Sequence, residues 1–228
     1  MVRIILFIVA FSISLMASAQ VNKETRVLEG TYSRIEALKG VNVSLHQCDT
    51  DELEIVTEGC STTDVDTYIK KGTLFIKMKK ITKGSAVQVF VKLKDVESLY
   101  IHGGASLSTE CVFQRKGALQ LDVAATCEVE MELDVDELTV SANSCQISLS
   151  GDARKQTVEV KGTVGEMKYD AISLKSEDVE IYSSEAESDV YFTNSLKAEC
   201  VSGTITYKGE ESGVHEKIVR SGGKIEKL

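Results

Sequence analysis

An all-β parallel solenoid is the fold this sequence predicts, and three observations predict it. Apolar residues alternate with polar ones at period two along nearly the whole chain. A short phrase recurs at a mean spacing of about 20 residues. Turn residues punctuate the strands, and helical periodicity is almost absent.

The first element is an address. Arg3 precedes an apolar run from Ile4 to Phe11 that continues through Ile13, Leu15 and Met16, and Ala17-Ser18-Ala19 offers the small residues of a signal-peptidase site. The run is short for a bilayer span. Residues 1–19 are therefore expected to be removed on export, leaving 20–228 without a transmembrane helix. Gln20 rather than Cys follows the cleavage site, which gives no sign of a bacterial lipid anchor.

Alternation starts with Val41, Val43 and Leu45 and continues through Leu53 and Ile55, Leu74, Ile76 and Met78, and Val87 to Leu93. Such strands bury one face and wet the other. Turns are expected at Lys39-Gly40, Lys71-Gly72, Lys83-Gly84 and Gly103-Gly104, and later at Ser150-Gly151, Lys208-Gly209 and Gly222-Gly223. About 26–97 reads as less regular first rungs or a cap, and about 98–228 as regular rungs of one stack.

Within the regular part the phrase places a small residue two before an apolar one and a larger side chain two after it. It opens at Ala105, Cys127, Cys145, Gly165, Ser188, Gly203 and Gly223, in steps of 22, 18, 20, 23, 15 and 20 residues. The predicted inward column is Leu107, Val129, Ile147, Met167, Val190, Ile205 and Ile225, with Tyr169, Phe192 and Tyr207 as an inward aromatic ladder. The polar residues between them, from Ser106, Glu128, Gln146 and Glu166 to Lys224, point outward. One dry and one wet face fits a β-helix, whose rungs cannot bury their apolar sides alone. An antiparallel sandwich also alternates, but the spacing over seven phrases favours the solenoid.

The chain has 228 residues, with 26 Lys and Arg against 35 Asp and Glu, a net charge of −9. That balance argues against nucleic acid, which is held by clustered cations. The six cysteines (Cys48, Cys60, Cys111, Cys127, Cys145, Cys200) form no C-x-x-C pair, so neither zinc nor thioredoxin-type chemistry is signalled. Cys127 and Cys145 fall on consecutive rungs, close enough for a disulfide. In-register parallel neighbours point the same way, which favours two stacked thiols over the bridge. No cofactor or metal is expected.

The three histidines, His46, His102 and His215, lie in no catalytic motif, and no G-x-S-x-G occurs. His102 reads as a solvated turn residue. Carboxylates carry the enzyme alternative. Glu128 and Glu130 stand on one strand face at about 7 Å, a separation that inverting glycosidases use. Tyr100, Tyr182 and Tyr191 alternate against inward residues and are the candidates for exposed contacts. Asn42-Val43-Ser44 forms an N-glycosylation sequon, which matters only in a host that glycosylates such sites.

Arg34-Ile35-Glu36 with Gly40 to Gln47, Leu53 to Gly59, Gly72-Thr73-Leu74-Phe75-Ile76, Leu99 to Ala105 and Arg220 to Ile225 together resemble a known family. It is the "putative auto-transporter adhesin, head GIN domain" family of Bacteroides-type bacteria, and the likeness spans roughly 30–228. Cys127 and Cys145 depart from the small residues expected there, and Cys48 stands near an expected turn glycine. The resemblance implies a right-handed β-helix-like domain over 20–228 and a place in the periplasm, on the cell surface or outside. It carries no catalytic residues. The expected function is a non-catalytic adhesin or recognition module that binds a glycan or an envelope or host-surface protein, with oligomers allowed. The alternatives are a polysaccharide-acting enzyme using paired carboxylates and a structural envelope protein that self-associates.

Overall fold

The computed structural model describes residues 21–81, 83–163 and 166–228. The expected signal peptide and the phrase-opening Gly165 lie outside the described residues. Nine short strands come first: β1 (Val21–Val27), β2 (Arg34–Leu38), β3 (Asn42–Gln47), β4 (Glu52–Glu58), β5 (Val65–Lys70), β6 (Thr73–Met78), β7 (Ala86–Leu93), β8 (Ser98–His102) and β9 (Ser106–Thr109). Five long strands follow: β10 (Phe113–Ala124), β11 (Glu128–Asn143), β12 (Gln146–Lys161), β13 (Lys168–Ser184) and β14 (Glu187–Val201). The chain closes with β15 (Thr204–Lys208), β16 (Val214–Arg220) and β17 (Lys224–Lys227). The result is an all-β solenoid of about six turns.

Its strands form two continuous ladders. One runs β5–β6–β2–β8–β10–β11–β12–β13–β14–β16. The other runs β1–β4–β7–β3–β9–β11–β12–β13–β14–β15–β17, so the long strands serve both. Pairing is parallel from β2 and β3 onward, whereas β1, β4 and β5 join antiparallel. Register shifts in β10, β12 and β13 let the long strands turn corners without leaving the ladder. Period-two alternation puts Leu121, Val123, Val129, Met131, Val140 and Ile147 inside, and their neighbours outside.

Where the chain passes from the first ladder to the second, a left-handed corner recurs. Ala125, Thr126, Ser144, Glu185, Ser202 and Ser221 all have φ between 49° and 65°. This conformation costs a non-glycine residue about 1 kcal/mol or more. Backbone bonds from each corner to the next offset it: Thr126 N to Ser144 O at 2.9 Å, Glu185 N to Val201 O at 2.8 Å. The inward residue just after each corner is Ala105, Cys127, Cys145, Met167, Ala186, Gly203 or Gly223. Space explains why most are small: a Cβ on Gly203 would sit 2.3 Å from Ala186 O.

Three expectations are corrected here. Ile147 is opposite Tyr169, not Met167, and Tyr169 is opposite Ser188. The inward column is therefore Leu107, Val129, Ile147, Tyr169, Ser188, Ile205 and Ile225. Met167 instead continues the corner column, its sulfur 3.7 Å from that of Cys145. A slip of two residues preserves every in-or-out assignment, so alternation cannot detect it. For the same reason Tyr169, Phe192 and Tyr207 are all buried but do not form one column: Tyr207 is opposite Val190 and Phe192 opposite Ser176. His102 ends β8 rather than occupying the turn, and it is half-buried.

Gln156 sits fully buried between Leu138 and Val179, and neither its amide nitrogen nor its oxygen has a protein partner. An unpaired buried amide costs about 1–3 kcal/mol, whereas an apolar replacement of similar shape removes that penalty. Gln156→Leu is expected to stabilise the fold by about that amount, read as a higher urea midpoint at unchanged slope.

The N-terminal edge is clipped by Arg26. From β1 its guanidinium donates to Val65 O at 2.8 Å, Thr67 Oγ1 at 2.9 Å and Thr62 O at 3.0 Å, and it is held by Glu24. The hydrogen bond from Arg26 draws the Glu24 carboxyl down to about 2 from 4.5, helped by a hydrogen bond from Thr62. A lowered folded-state value means that this contribution is complete above pH 4.5 and is lost as pH falls towards 2. Amide exchange of β1 should therefore accelerate over that window ahead of the central rungs, and Glu24→Gln should remove the pH dependence.

Candidate binding surface

Outward residues align in rows across the rungs because neighbouring strands are in register. On the second ladder, Ser106, Glu128, Gln146 and Lys168 form one row. Ser108, Glu130, Ser148, Asp170 and Asp189 form the next. Glu128 and Glu130 are both exposed on either side of buried Val129. The short serines leave a shallow groove of about 380 Å³ around them. The two-residue slip has a chemical consequence here: Lys168, not Glu166, follows Gln146, so a cation faces this groove. Lys168 lies 3.8 Å from Asp170. Burial raises the neighbouring Asp189 carboxyl above its ordinary value, and Asp170 adds to the rise. The groove offers closely spaced acceptors and donors suited to hydroxyl-bearing ligands.

On the first ladder, Tyr100, Asp122, Ser141, Glu159, Tyr182 and Glu199 share one outward row. Two residues singled out from the sequence thus lie on one face, four ladder steps apart. The Arg34 guanidinium stands 4.7 Å above the Tyr100 ring, and Lys161 stands 5.7 Å from Tyr182. Tyr182 borders a groove of about 300 Å³ with Thr157, Glu180 and Lys197. Tyr191 belongs elsewhere. It lies between Lys175 and Lys208 on the other side of the rung, with Lys208 Nζ 4.3 Å from its ring.

Sequence reasoning misses Tyr68, Phe75, Arg34 and Lys77, which gather on β5, β6 and β2 beside Tyr100. The repeat is absent from that region, so nothing in the spacing can align them. The antiparallel β5–β6 pair, marked only by Lys71-Gly72, is the available signal.

Cys127 and Cys145 are consecutive in the corner column, with Gln146 N bonded to Cys127 O at 2.9 Å, and both are free thiols. Cys127 Sγ donates to Ala124 O at 3.0 Å, while Cys145 Sγ faces Val123 O and Met167 Sδ. Burial pushes both thiols up, Cys145 to about 12, which keeps them protonated and unreactive. His46 Nδ1 lies 3.2 Å from Glu110 Oε2 on the surface. Among the described residues no three His, Cys, Asp or Glu side chains converge as metal ligands, and no helix is long and apolar enough to cross a membrane.

Parallel rungs, mixed antiparallel first strands and broad polar faces define a class of extended β-solenoids whose exposed rows repeat from rung to rung. Within it, the chain belongs to the family described as "Putative auto-transporter adhesin, head GIN domain", which it matches over residues 31–210. Solved structures agree on the fold. A "putative adhesin" from Bacteroides fragilis NCTC 9343 superposes with a TM-score of 0.78 at 19% identity, covering 92% of this chain and 98% of that one. A "Putative lipid binding protein" from Parabacteroides distasonis ATCC 8503 gives 0.68 at 20% identity, with the same coverage. A "putative adhesin" from Parabacteroides merdae ATCC 43184 gives 0.64 at 17%, covering 92% and 97%. No curated protein matches the sequence.

Proposed function

We propose that the protein is an exported, non-catalytic recognition module of the cell envelope or surface, which holds a glycan or a surface protein against the outward rows of its rungs. The observation that carries this reading is the row from Tyr100 to Tyr182. Parallel stacking turns residues 82 positions apart in the chain into one outward line in which half-buried Tyr100, Asp122 and Tyr182 flank exposed Ser141 and Glu159. Tyr100 and Tyr182 would supply ring faces, and Glu128 and Glu130 would accept hydrogen bonds on the other ladder. Tyr191 would add a third contact, and the adhesin names in the family are consistent with such a role. Cleavage after Ala19 would place the protein outside the cytoplasm.

Incubation of the purified exported protein with host and bacterial glycans, scoring retention and chain length together, tests this. Saturable retention of intact glycan is the expected result. Shortened products that disappear in Glu128→Gln or Glu130→Gln would establish a polysaccharide-acting enzyme instead. Concentration-dependent self-association with no glycan retained would favour a structural envelope role.

A further inference from the structure

The N-terminal end of the first ladder differs in chemistry from the rest of the surface. Strands β5, β6, β2 and β8 lie side by side, and their registers build a grid of outward side chains. The middle row is Tyr68, Phe75, Glu36 and Tyr100. Lys70, Thr73, Arg34 and Ser98 flank it on one side, and Asp66, Lys77, Leu38 and His102 on the other. Tyr68 and Phe75 stack with centroids 4.9 Å apart and planes 16° from parallel. Lys77 donates to the Tyr68 hydroxyl at 3.3 Å and stands 5.3 Å from its ring. Arg34 covers part of Tyr100 at 4.7 Å, and the His102 ring stacks beside Tyr100 at 6.5 Å between centroids.

Charge distinguishes this platform. The chain carries a net charge of −9, and the same middle row turns acidic beyond Tyr100 at Asp122 and Glu159. Within the grid, Asp66 is paired with Lys79 at 3.4 Å. That leaves Arg34, Lys70 and Lys77 against Glu36. The three rings of this row, with Glu36 between Phe75 and Tyr100, Arg34 on one flank and Lys77 on the other, suit a chain of flat, apolar ring faces whose anions meet the flanking cations. Strand spacing of about 4.8 Å sets the interval between middle-row residues, so Tyr68 to Tyr100 spans about 14 Å, room for several linked sugars.

We propose that this platform binds a linear acidic polysaccharide, one bearing uronate carboxylates, laid along Tyr68, Phe75 and Tyr100 with its carboxylates on Arg34 and Lys77. The proposal rests on the glycan reading above and gives it a site and a ligand class. The rings would contribute stacking, as aromatic platforms do for other planar units. The exposed cations would contribute attraction that salt screens.

The test compares polygalacturonate with its fully methyl-esterified form, which keeps the sugar rings and removes the charge. Titration uses the exported protein and the variants Tyr68→Ala, Tyr100→Ala, Arg34→Gln and Lys77→Gln, each checked for an unchanged melting curve. Polygalacturonate is expected to bind and the ester to bind about tenfold more weakly. Tyr100→Ala should cost about tenfold or more, with Tyr100→Phe close to wild type. Arg34→Gln should cost about threefold, an effect that fades near 0.5 M salt. Equal binding of acid and ester would overturn the proposal. So would retention that ignores the Tyr68 and Tyr100 variants. If another glycan is retained through the Glu128 groove while polygalacturonate is not, the site proposed here fails and the broader glycan reading stands. No glycan retained at all overturns both. A Tyr68→Ala change in oligomeric mass without polygalacturonate binding would show that a second copy covers the platform, and the proposal would fall.

Discussion

Gly151→Ala is expected to destabilise the protein by about 4 kcal/mol or more, at the large end for a single substitution. Gly151 lies at a corner of β12 with φ of +103°, and a Cβ placed there would meet Leu133 O at 2.1 Å and Leu133 C and N at 3.0 Å. Neither partner can yield, because Leu133 belongs to the rung below and its neighbours are fixed in the β10–β11 ladder. The strain would be shared by β11, β12 and β13, the centre of the stack. Gly72→Ala is the control. Gly72 has φ of +74°, but a Cβ added there would meet nothing within 4 Å. It should therefore cost only the left-handed penalty of about 1–2 kcal/mol. Thermal unfolding of the two variants separates the contributions of conformation and collision.

Phe192→Ala should unfasten the last rung. The Phe192 ring is pressed between two glycines of the closing loop: a Cβ would lie 2.6 Å from Cε1 if added at Gly209, and 2.8 Å from Cε2 if added at Gly213. Tyr207 packs against it at 5.9 Å between centroids. Removing a buried phenyl ring costs about 3–5 kcal/mol. In a stack where each rung touches only its neighbours, the loss need not spread evenly. Amide exchange across 204–227 is therefore expected to rise sharply while β10 to β12 stay protected. Uniform loss of protection would mean that the stack unfolds as one unit.

How far the sequence can be read follows from what alternation measures. Facing is a local property, so alternation assigns Val129, Ile147, Met167 and Val190 correctly to the interior. Register is not local. It depends on how many residues each corner consumes, and the turn between β12 and β13 consumes two more than the recurring phrase suggests. The paired tyrosines show the same division. Tyr100 and Tyr182 are legible as outward, but their membership of one row emerges only once five strands are stacked. Tyr68 and Phe75 are out of reach, because β5 enters the ladder antiparallel through a hairpin that the repeat does not govern. The corner residues Ser144, Glu185 and Ser202 carry no signal either, since neighbouring rungs impose their left-handed conformation.

Residues distant in sequence form continuous outward rows, and the recognition proposed for this protein rests on them. The most direct test is a distance between spin labels at positions 122 and 199, introduced as Asp122→Cys and Glu199→Cys with Cys48, Cys60 and Cys111 replaced by serine. In the structure these two positions are joined through Ser141, Glu159 and Tyr182, four ladder steps and about 19 Å apart along the row. A single narrow distribution near 20 Å is the predicted result. A distance well beyond about 30 Å, or several distances at once, would contradict the parallel stack and with it every row described above.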